Sequence, residues 1–271
     1  YLPYFYDYDN QWLSNVLKEI FPSEKPRVWI TAFMGYLSHY RVIYLPVFRF
    51  LQEQGFYSRS IYLFLENHTD LTYLTQHICV GYLEGWDNDI QAQYSLMKEL
   101  VLTRNERALG EIIFFISNER KNKADKSKKV IDRFKRVKEL WHFLNEEFKK
   151  PFYSEDSRSN RLHLWLDIFE VWDEELKNLF ITSLKLLPMD SSYPLLADVF
   201  FEHVEDTPKI VASILHEMTI RKQLIRYDDD NLRKVIKKLY QEGEKQKADE
   251  ICIAYANAGI KSLRDIYDEF N

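Results

Sequence analysis

Apolar side chains recur along most of the chain at the spacing of an amphipathic helix. Those between Leu13 and Phe21 follow the i, i+3, i+4, i+7 rule, and Pro22 then ends the segment. The same periodicity is most sustained from Val130 to Phe148. Prolines and glycines separate further stretches of this kind, so the pattern predicts about 15 helices joined by short turns.

No segment shows sustained alternation of apolar and polar residues between turn signals, and the chain has only 7 glycines and 8 prolines. Both features argue against an all-β fold. Predicted helix pairs recur every ~35–40 residues, the range of helical-hairpin repeats. We therefore predict an all-α fold, a degenerate helical-hairpin (HEAT/TPR-like) solenoid of about 15 helices, with one irregular all-α globule as the alternative.

The domain prediction is based on the polar segment 151–160, which begins at Pro151 and has the composition of a linker. We expect a first helical block at 1–150 that ends in a long basic helix, the linker at 151–160, and a second block at 161–271. Within these blocks we expect helices at Asp89–Leu102 and near 160–172. The β-favouring run Arg41–Leu45 precedes Pro46 and is expected to be an extended stretch or a helix start.

Composition narrows the function classes. A net charge of −5 gives no global basic excess for nucleic acid. The chain has no 18-residue apolar run and no signal-peptide pattern, so we expect no membrane span and a cytoplasmic location. Cys79 and Cys252 fit buried thiols of a reducing compartment. Because the chain opens at Tyr1, we interpret it as part of a longer polypeptide whose catalytic module lies outside it.

A local basic stretch from Glu119 to Lys138 is the first candidate site. It contains ten lysines and arginines against three acidic residues. We interpret it as an exposed loop followed by the solvated face of an amphipathic helix, or alternatively as a surface for an acidic protein partner or for nucleic acid phosphates. The candidate partner- or anion-binding residues are Arg120, Lys121, Lys123, Lys126, Lys128, Lys129, Arg133, Lys135 and Arg136.

Catalytic and metal motifs are missing from the sequence. It contains no nucleophile elbow, no phosphate-binding glycine loop, no His-Glu-x-x-His and no Cys-x-x-Cys. The cluster Glu202, His203, Glu205 and Asp206 is interpreted as a polar helix terminus, and 228–230 as a helix N-terminus whose acidic residues complement the dipole. We therefore predict no enzyme activity for this chain, no catalytic residues, no metal and no cofactor.

Aromatic residues form helical stripes, which we expect to lie in the core between helices although Tyr and Trp also anchor interfaces. One stripe repeats every four residues from Tyr36 to Phe48, and the other contains Trp165, Phe169 and Trp172.

Several short segments of the chain are similar to a known family, namely 28–30, 34–37, 47–51, 55–57, Ile61 and 138–141. They resemble the helical regions of bacterial antiphage proteins that carry STAND-type NTPase or sirtuin-like modules. The resemblance implies that the array senses a partner and that the enzyme lies elsewhere in the protein, and it assigns no role to any residue. We expect a non-catalytic protein-binding or sensor region, with nucleic-acid binding or a scaffold role as alternatives.

Overall fold

A computed structural model describes residues 10–22, 24–39, 43–118, 128–150, 158–186, 195–226 and 229–271. Within these ranges the chain forms fourteen α-helices and one 3-10 helix, and no β-strand occurs, so the predicted all-helical fold is confirmed. The chain divides into two compact units. One unit contains residues up to Asn118 and the part of the long helix through Leu140, and the other contains Trp141–Asn271.

The first unit contains seven helices and the start of an eighth: α1 (Asn10–Ile20), α2 (Pro26–His39), α3 (Leu45–Glu53), α4 (Phe56–Glu66), α5 (Thr72–Leu83), α6 (Leu96–Leu102), α7 (Glu106–Ser117) and α8 (Lys128–Phe148). The second unit contains the end of α8, the 3-10 helix Arg158–Ile168, α9 (Glu174–Leu186), α10 (Leu195–His203), α11 (Pro208–Ile220), α12 (Asp229–Gln241), α13 (Lys245–Asn257) and α14 (Arg264–Phe270).

Two of the expected helices differ in the structure. The helix expected over Asp89–Leu102 begins only at Leu96, because residues 88–95 form a loop that ends in the N-cap Ser95. The helix expected near 160–172 is a 3-10 helix over Arg158–Ile168. Its buried residues Leu162, Trp165 and Ile168 are spaced by three, which places them on one face of a helix with three residues per turn.

The expected extended stretch or helix start at Arg41–Leu45 lies partly outside the described residues. Ile43 and Tyr44 are not helical, and α3 begins at Leu45 with a proline in its first turn. Proline suits that position because the first amide of a helix has no intrahelical acceptor.

Helix α5 lies at the centre of the first unit and packs against α2, α4, α6 and α7. Its contact with α3 is close at Gly81, where a Cβ atom would overlap the Phe48 ring. A second cluster joins α1, α2 and α4 through Phe21, Trp29 and Phe56, whose ring centroids lie 5.2 to 6.0 Å apart. Large rings thus fill the spaces between the helices of this unit.

The expectation for the aromatic stripes is confirmed for Trp165, Phe169 and Trp172, which are all buried. In the other stripe Tyr36 and Phe48 are buried, Tyr44 is exposed and Tyr40 lies outside the described residues. Both cysteines, Cys79 and Cys252, are buried free thiols, as expected.

A buried polar network joins α8 to α9 inside the second unit. The indole nitrogen of Trp141 donates to Oγ of Ser183 at 2.7 Å, and this hydroxyl lies 2.8 Å from Oδ1 of Asn145. The Asn145 amide in turn donates to the carbonyl of Leu179 at 3.0 Å. Because buried polar groups are costly unless they are paired, this network fixes how the two helices pack.

In the rest of the second unit, helices two apart in the sequence pack against each other: α9 on α11, α10 on α12, α11 on α13 and α12 on α14. The polar side chains that join them are 32 to 34 residues apart in the sequence. These pairs are Asp198 with Asn231, Glu205 with Lys238, His216 with Glu250, Arg233 with Asp265 and Lys237 with Glu269. A constant offset of this kind shows that the paired helices run in the same direction.

Candidate functional site

The structure describes only part of the predicted basic stretch. Arg120, Lys121, Lys123 and Lys126 lie outside the described residues, and α8 begins at Lys128. The side chains of Lys128 and Lys129 also lie outside the description. The described candidates of this stretch are Arg133, Lys135 and Arg136, all in the first unit.

The two described arginines of this stretch contact other residues of the chain. Arg133 forms an ion pair with Glu84, whose side chain is 8% exposed, and partial burial lowers the pKa of Arg133. The guanidinium of Arg136 lies 5.3 Å from the centroid of the Tyr82 ring, a cation–π distance. The Tyr82 hydroxyl also donates to the Arg136 carbonyl at 3.0 Å. Both arginines therefore help to hold α8 against the end of α5.

Acidic residues surround the lysine between them. The Lys135 ammonium lies 3.7 Å from Glu139, and both line a cavity of about 530 Å³ together with Asp89 and Asp132. Partial burial and a hydrogen bond with the Asp89 carboxyl raise the pKa of Glu139. The described part of the stretch is thus a mixed-charge surface, on which phosphate groups would meet carboxylates as well as cations.

A larger groove lies elsewhere in the first unit, at the ends of α3, α4 and α6 and beside the 88–95 loop. Its volume is about 780 Å³, within the range of ligand-binding pockets, which is roughly 300–1,000 Å³. Most of its lining residues have a polar group, and their apolar atoms also contribute to its surface. The lining residues are Gln52, Glu53, Ser58, Tyr62, Asn88, Gln93, Tyr94, Ser95, Leu96, Lys98, Glu99, Leu102 and Thr103.

A carboxylate held by a hydroxyl group lies where α4 meets α6. Ser58 donates from Oγ to Oε2 of Glu99 at 2.7 Å, and the Tyr62 hydroxyl lies beside the same carboxylate. Partial burial and the negative charge of Glu99 raise the pKa of Tyr62. Ser58 and Tyr62 are four residues apart, so they lie on the same face of α4 and reach the same carboxylate.

The 88–95 loop forms the opposite wall and presents Tyr94, which is 75% exposed. The Asn88 side chain donates to the Tyr94 carbonyl at 2.7 Å, and the Gln93 amide donates to the Tyr94 hydroxyl at 3.2 Å. Lys98 donates to the carbonyl of Ala92 at 3.0 Å. These bonds hold the loop in place while the Tyr94 ring faces solvent.

The loop is anchored by Asp87, which is only 2% exposed. Its carboxylate accepts from Gln52 at 2.9 Å, from the Ser95 hydroxyl at 3.0 Å, and from the amides of Leu96 and Met97 at 3.1 and 3.0 Å. A carboxylate at a helix N-terminus pairs amides that have no intrahelical acceptor. Asp87 therefore positions both the loop and α6.

Sequence reasoning missed this groove, because the Asp87-Asn88 pair by itself indicates only a separator between helices. Two signals are present in the sequence. Ser95 directly precedes the apolar residues Leu96 and Met97, which is typical of a helix N-cap. The second signal is Tyr94, a large aromatic residue in a polar loop segment.

In the acidic cluster at the end of α10, Glu202, Glu205 and Asp206 are exposed, as the interpretation as a polar terminus requires, and His203 differs. His203 is buried and stacks on Trp172 with ring centroids 4.5 Å apart, while Glu205 lies 3.4 Å from Lys238. His203 is buried because an imidazole ring packs well against the indole face of Trp172. Among the described side chains, no group of three or more His, Cys, Asp or Glu residues is arranged to hold a metal ion.

Comparisons of the chain with protein-family models, with curated proteins and with solved structures found no match. Within the described ranges, none of the helices has both the length and the apolar character needed to cross a membrane. The geometry of the chain itself is therefore the basis for inferring its function.

Proposed function

We propose that this chain is a non-catalytic protein-binding region and that the groove between α4, α6 and the 88–95 loop is its binding site. The observation that carries the proposal is the exposure of two tyrosine rings that line that groove, one on α4 and one on the 88–95 loop. Tyr62 is 55% exposed and Tyr94 is 75% exposed. The Tyr94 hydroxyl accepts a hydrogen bond from the Gln93 amide, and the Tyr62 hydroxyl lies beside the Glu99 carboxylate.

Exposed tyrosines of this kind suit a protein interface. A Tyr ring supplies a large contact area at a small cost in side-chain entropy, and aromatic residues dominate the binding energy of many interfaces. The apolar side chain of Leu102, 44% exposed, lies in the same groove. Amide side chains such as Gln52 and Asn88 provide donors and acceptors for a partner's backbone.

We also propose that the second unit is a stack of helical hairpins, as in a HEAT/TPR-like solenoid. The support is the pairing of helices two apart at an offset of 32 to 34 residues. Helical-hairpin repeats have a period of roughly 34 residues, and each hairpin buries its apolar face on its neighbour. Such a stack offers an extended surface for a partner.

We also propose that the chain is the sensor region of a larger intracellular protein and that its partner is a protein encountered during antiphage defence. The support for this part is the sequence resemblance described above. Nucleic-acid binding has less support, because the described cations of the basic stretch lie among carboxylates.

A site-specific cross-linking experiment tests the proposed function. In the full chain, Tyr94 is replaced by the photoreactive amino acid p-benzoylphenylalanine, and a matched variant carries it in place of Tyr73. Tyr73 is 42% exposed on α5 and does not line the groove. We expect a protein adduct from a lysate of the source cells at position 94 but not at position 73.

The captured protein is then purified, and its affinity is measured by calorimetry. We expect the double variant Tyr62→Ala/Tyr94→Ala to bind at least about tenfold more weakly than the wild type, because two interface aromatics are removed. The Tyr73→Ala variant should bind like the wild type. Equal affinity of the groove variant and the Tyr73 variant, or equal cross-linking at both positions, would refute the proposal.

A further inference from the structure

The geometry points to a guanidinium group as the chemical feature that the groove recognises: we infer that Glu99, Tyr62 and Tyr94 bind an arginine side chain of the protein partner. This inference rests on the proposed function and adds to it the class of side chain that is bound. The juxtaposition that supports it is a carboxylate, held by the Ser58 hydroxyl, in a solvent-open groove that also contains two exposed aromatic rings.

Glu99 retains hydrogen-bonding capacity in the observed arrangement. A carboxylate has about four acceptor positions on its two oxygens. Ser58 donates to Oε2 at 2.7 Å. This bond orients the carboxylate and leaves its other acceptor positions for a ligand. A carboxylate fixed in this way needs little rearrangement to accept a second donor group.

Charges in the groove favour a cation. Its acidic lining residues are Glu53, which is exposed, and Glu99. Lys98 is the one Lys or Arg among the described lining residues, and its ammonium already donates to the Ala92 carbonyl at 3.0 Å. Because the lining carries more carboxylates than cations, an anionic partner group would be repelled and a cationic one attracted.

The tyrosine rings distinguish a guanidinium from smaller cations. A guanidinium is planar, donates in a fork that matches a carboxylate, and stacks on aromatic faces. A guanidinium can contact both tyrosine rings, because Tyr62 and Tyr94 are more than half exposed. A metal ion fits less well, because the described residues contain no cluster of three or more metal-ligating side chains.

A peptide titration tests the inference directly. The probes are the pentapeptide acetyl-Gly-Ser-Arg-Ser-Gly-amide and the same peptide with citrulline, which keeps the shape of arginine without its charge. Amide resonances of the isotope-labelled full chain report binding. We expect the arginine peptide to shift resonances of α4 and α6 and to bind at least about tenfold more tightly than the citrulline peptide, because a charge-assisted hydrogen bond is lost.

Two variants and one control localise the effect. Glu99→Gln keeps an acceptor for Ser58 and should weaken the arginine peptide at least about tenfold, while Tyr94→Ala should weaken it severalfold through loss of ring contact. The control Glu170→Gln removes the same charge from an exposed position in the second unit and should have no effect. Circular dichroism verifies that each variant is folded.

Three results would overturn the inference: equal affinity for both peptides, unchanged affinity in Glu99→Gln, or no saturable binding below roughly 10 mM, the weak limit of a specific contact. The experiments distinguish a failure of arginine recognition from a failure of the proposed protein binding. A cross-linked partner that depends on Tyr62 and Tyr94 but is insensitive to Glu99→Gln would uphold protein binding and refute arginine recognition.

Discussion

Removal of the Asp87 carboxylate is the perturbation with the largest expected effect in the first unit. The structure gives this buried side chain four donors, two of which are backbone amides at the start of α6. In Asp87→Ala these donors lose their acceptor, and no other side chain in the described loop takes its place. The substitution therefore tests whether a single buried carboxylate holds the loop and the helix together.

The size of the effect follows from which donors can find other partners. The Gln52 amide is only partly buried, and the Ser95 hydroxyl can rotate, so both recover part of their hydrogen bonding. The amides of Leu96 and Met97 are fixed and buried. Each unpaired buried donor costs about 1–3 kcal/mol, so we expect a total loss of about 3–5 kcal/mol in the free energy of unfolding of the first unit.

Hydrogen exchange measured by mass spectrometry reports this loss of stability locally. A single unfolding curve of the whole chain would not isolate the first unit, because the chain has two units. Peptides that cover Leu96 and Met97 should lose protection in Asp87→Ala, and Asp87→Asn should have a smaller effect because one acceptor oxygen remains. Asp206→Ala removes the same charge from an exposed site and is the control. Wild-type protection of these amides in Asp87→Ala would show that the reasoning is wrong.

Two further predictions concern helix glycines and a buried histidine. Gly81→Ala should destabilise the first unit by about 1–3 kcal/mol, because its Cβ atom would overlap the Phe48 ring. At Gly35 an added Cβ atom would meet no other atom within 4 Å, so Gly35→Ala should stabilise the unit by about 0.5–1 kcal/mol; hydrogen exchange of first-unit peptides compares the two variants. Burial lowers the pKa of His77 to about 4, so the unfolded state binds a proton more readily than the folded state. Between pH 6.5 and 4 the stability of the first unit should therefore fall by roughly 3 kcal/mol more in the wild type than in His77→Gln, measured by urea-dependent hydrogen exchange of first-unit peptides; parallel pH profiles of the two proteins would contradict this.

Helix positions were predictable from the sequence because burial imposes a period on apolar residues. The periodic run from Val130 to Phe148 lies in α8, and Gly243 and Gly259 lie at the ends of α12 and α13 as turn residues with positive φ. The 3-10 helix at Arg158–Ile168 was not predictable, because apolar spacings of three and four in a short segment fit either helix type.

The groove was harder to predict than the helices for a physical reason. Its polar lining residues have no periodicity, and they meet only because Gln52 on α3 and Ser95 before α6 share one acceptor, Asp87. The basic stretch presents a different difficulty. Its positive charge is evident in the sequence, but the sequence does not show that Arg133 pairs with Glu84, which is almost fifty residues away along the chain. Local composition does not reveal the partners that long-range packing supplies.

The buried carboxylate and the exposed tyrosine belong to one arrangement. Tyr94 is on a loop in which Ile90 is fully buried, while residues 91, 93 and 94 between Ile90 and α6 are exposed. Burial of Ile90 anchors one part of the loop, and the hydrogen bonds from the amides of Leu96 and Met97 to Asp87 anchor the end that follows Tyr94. An interaction surface gains affinity when it is ordered before the partner arrives. Stability of the loop and affinity of the groove should therefore fall together in Asp87→Ala, whereas Tyr94→Ala should lower affinity alone.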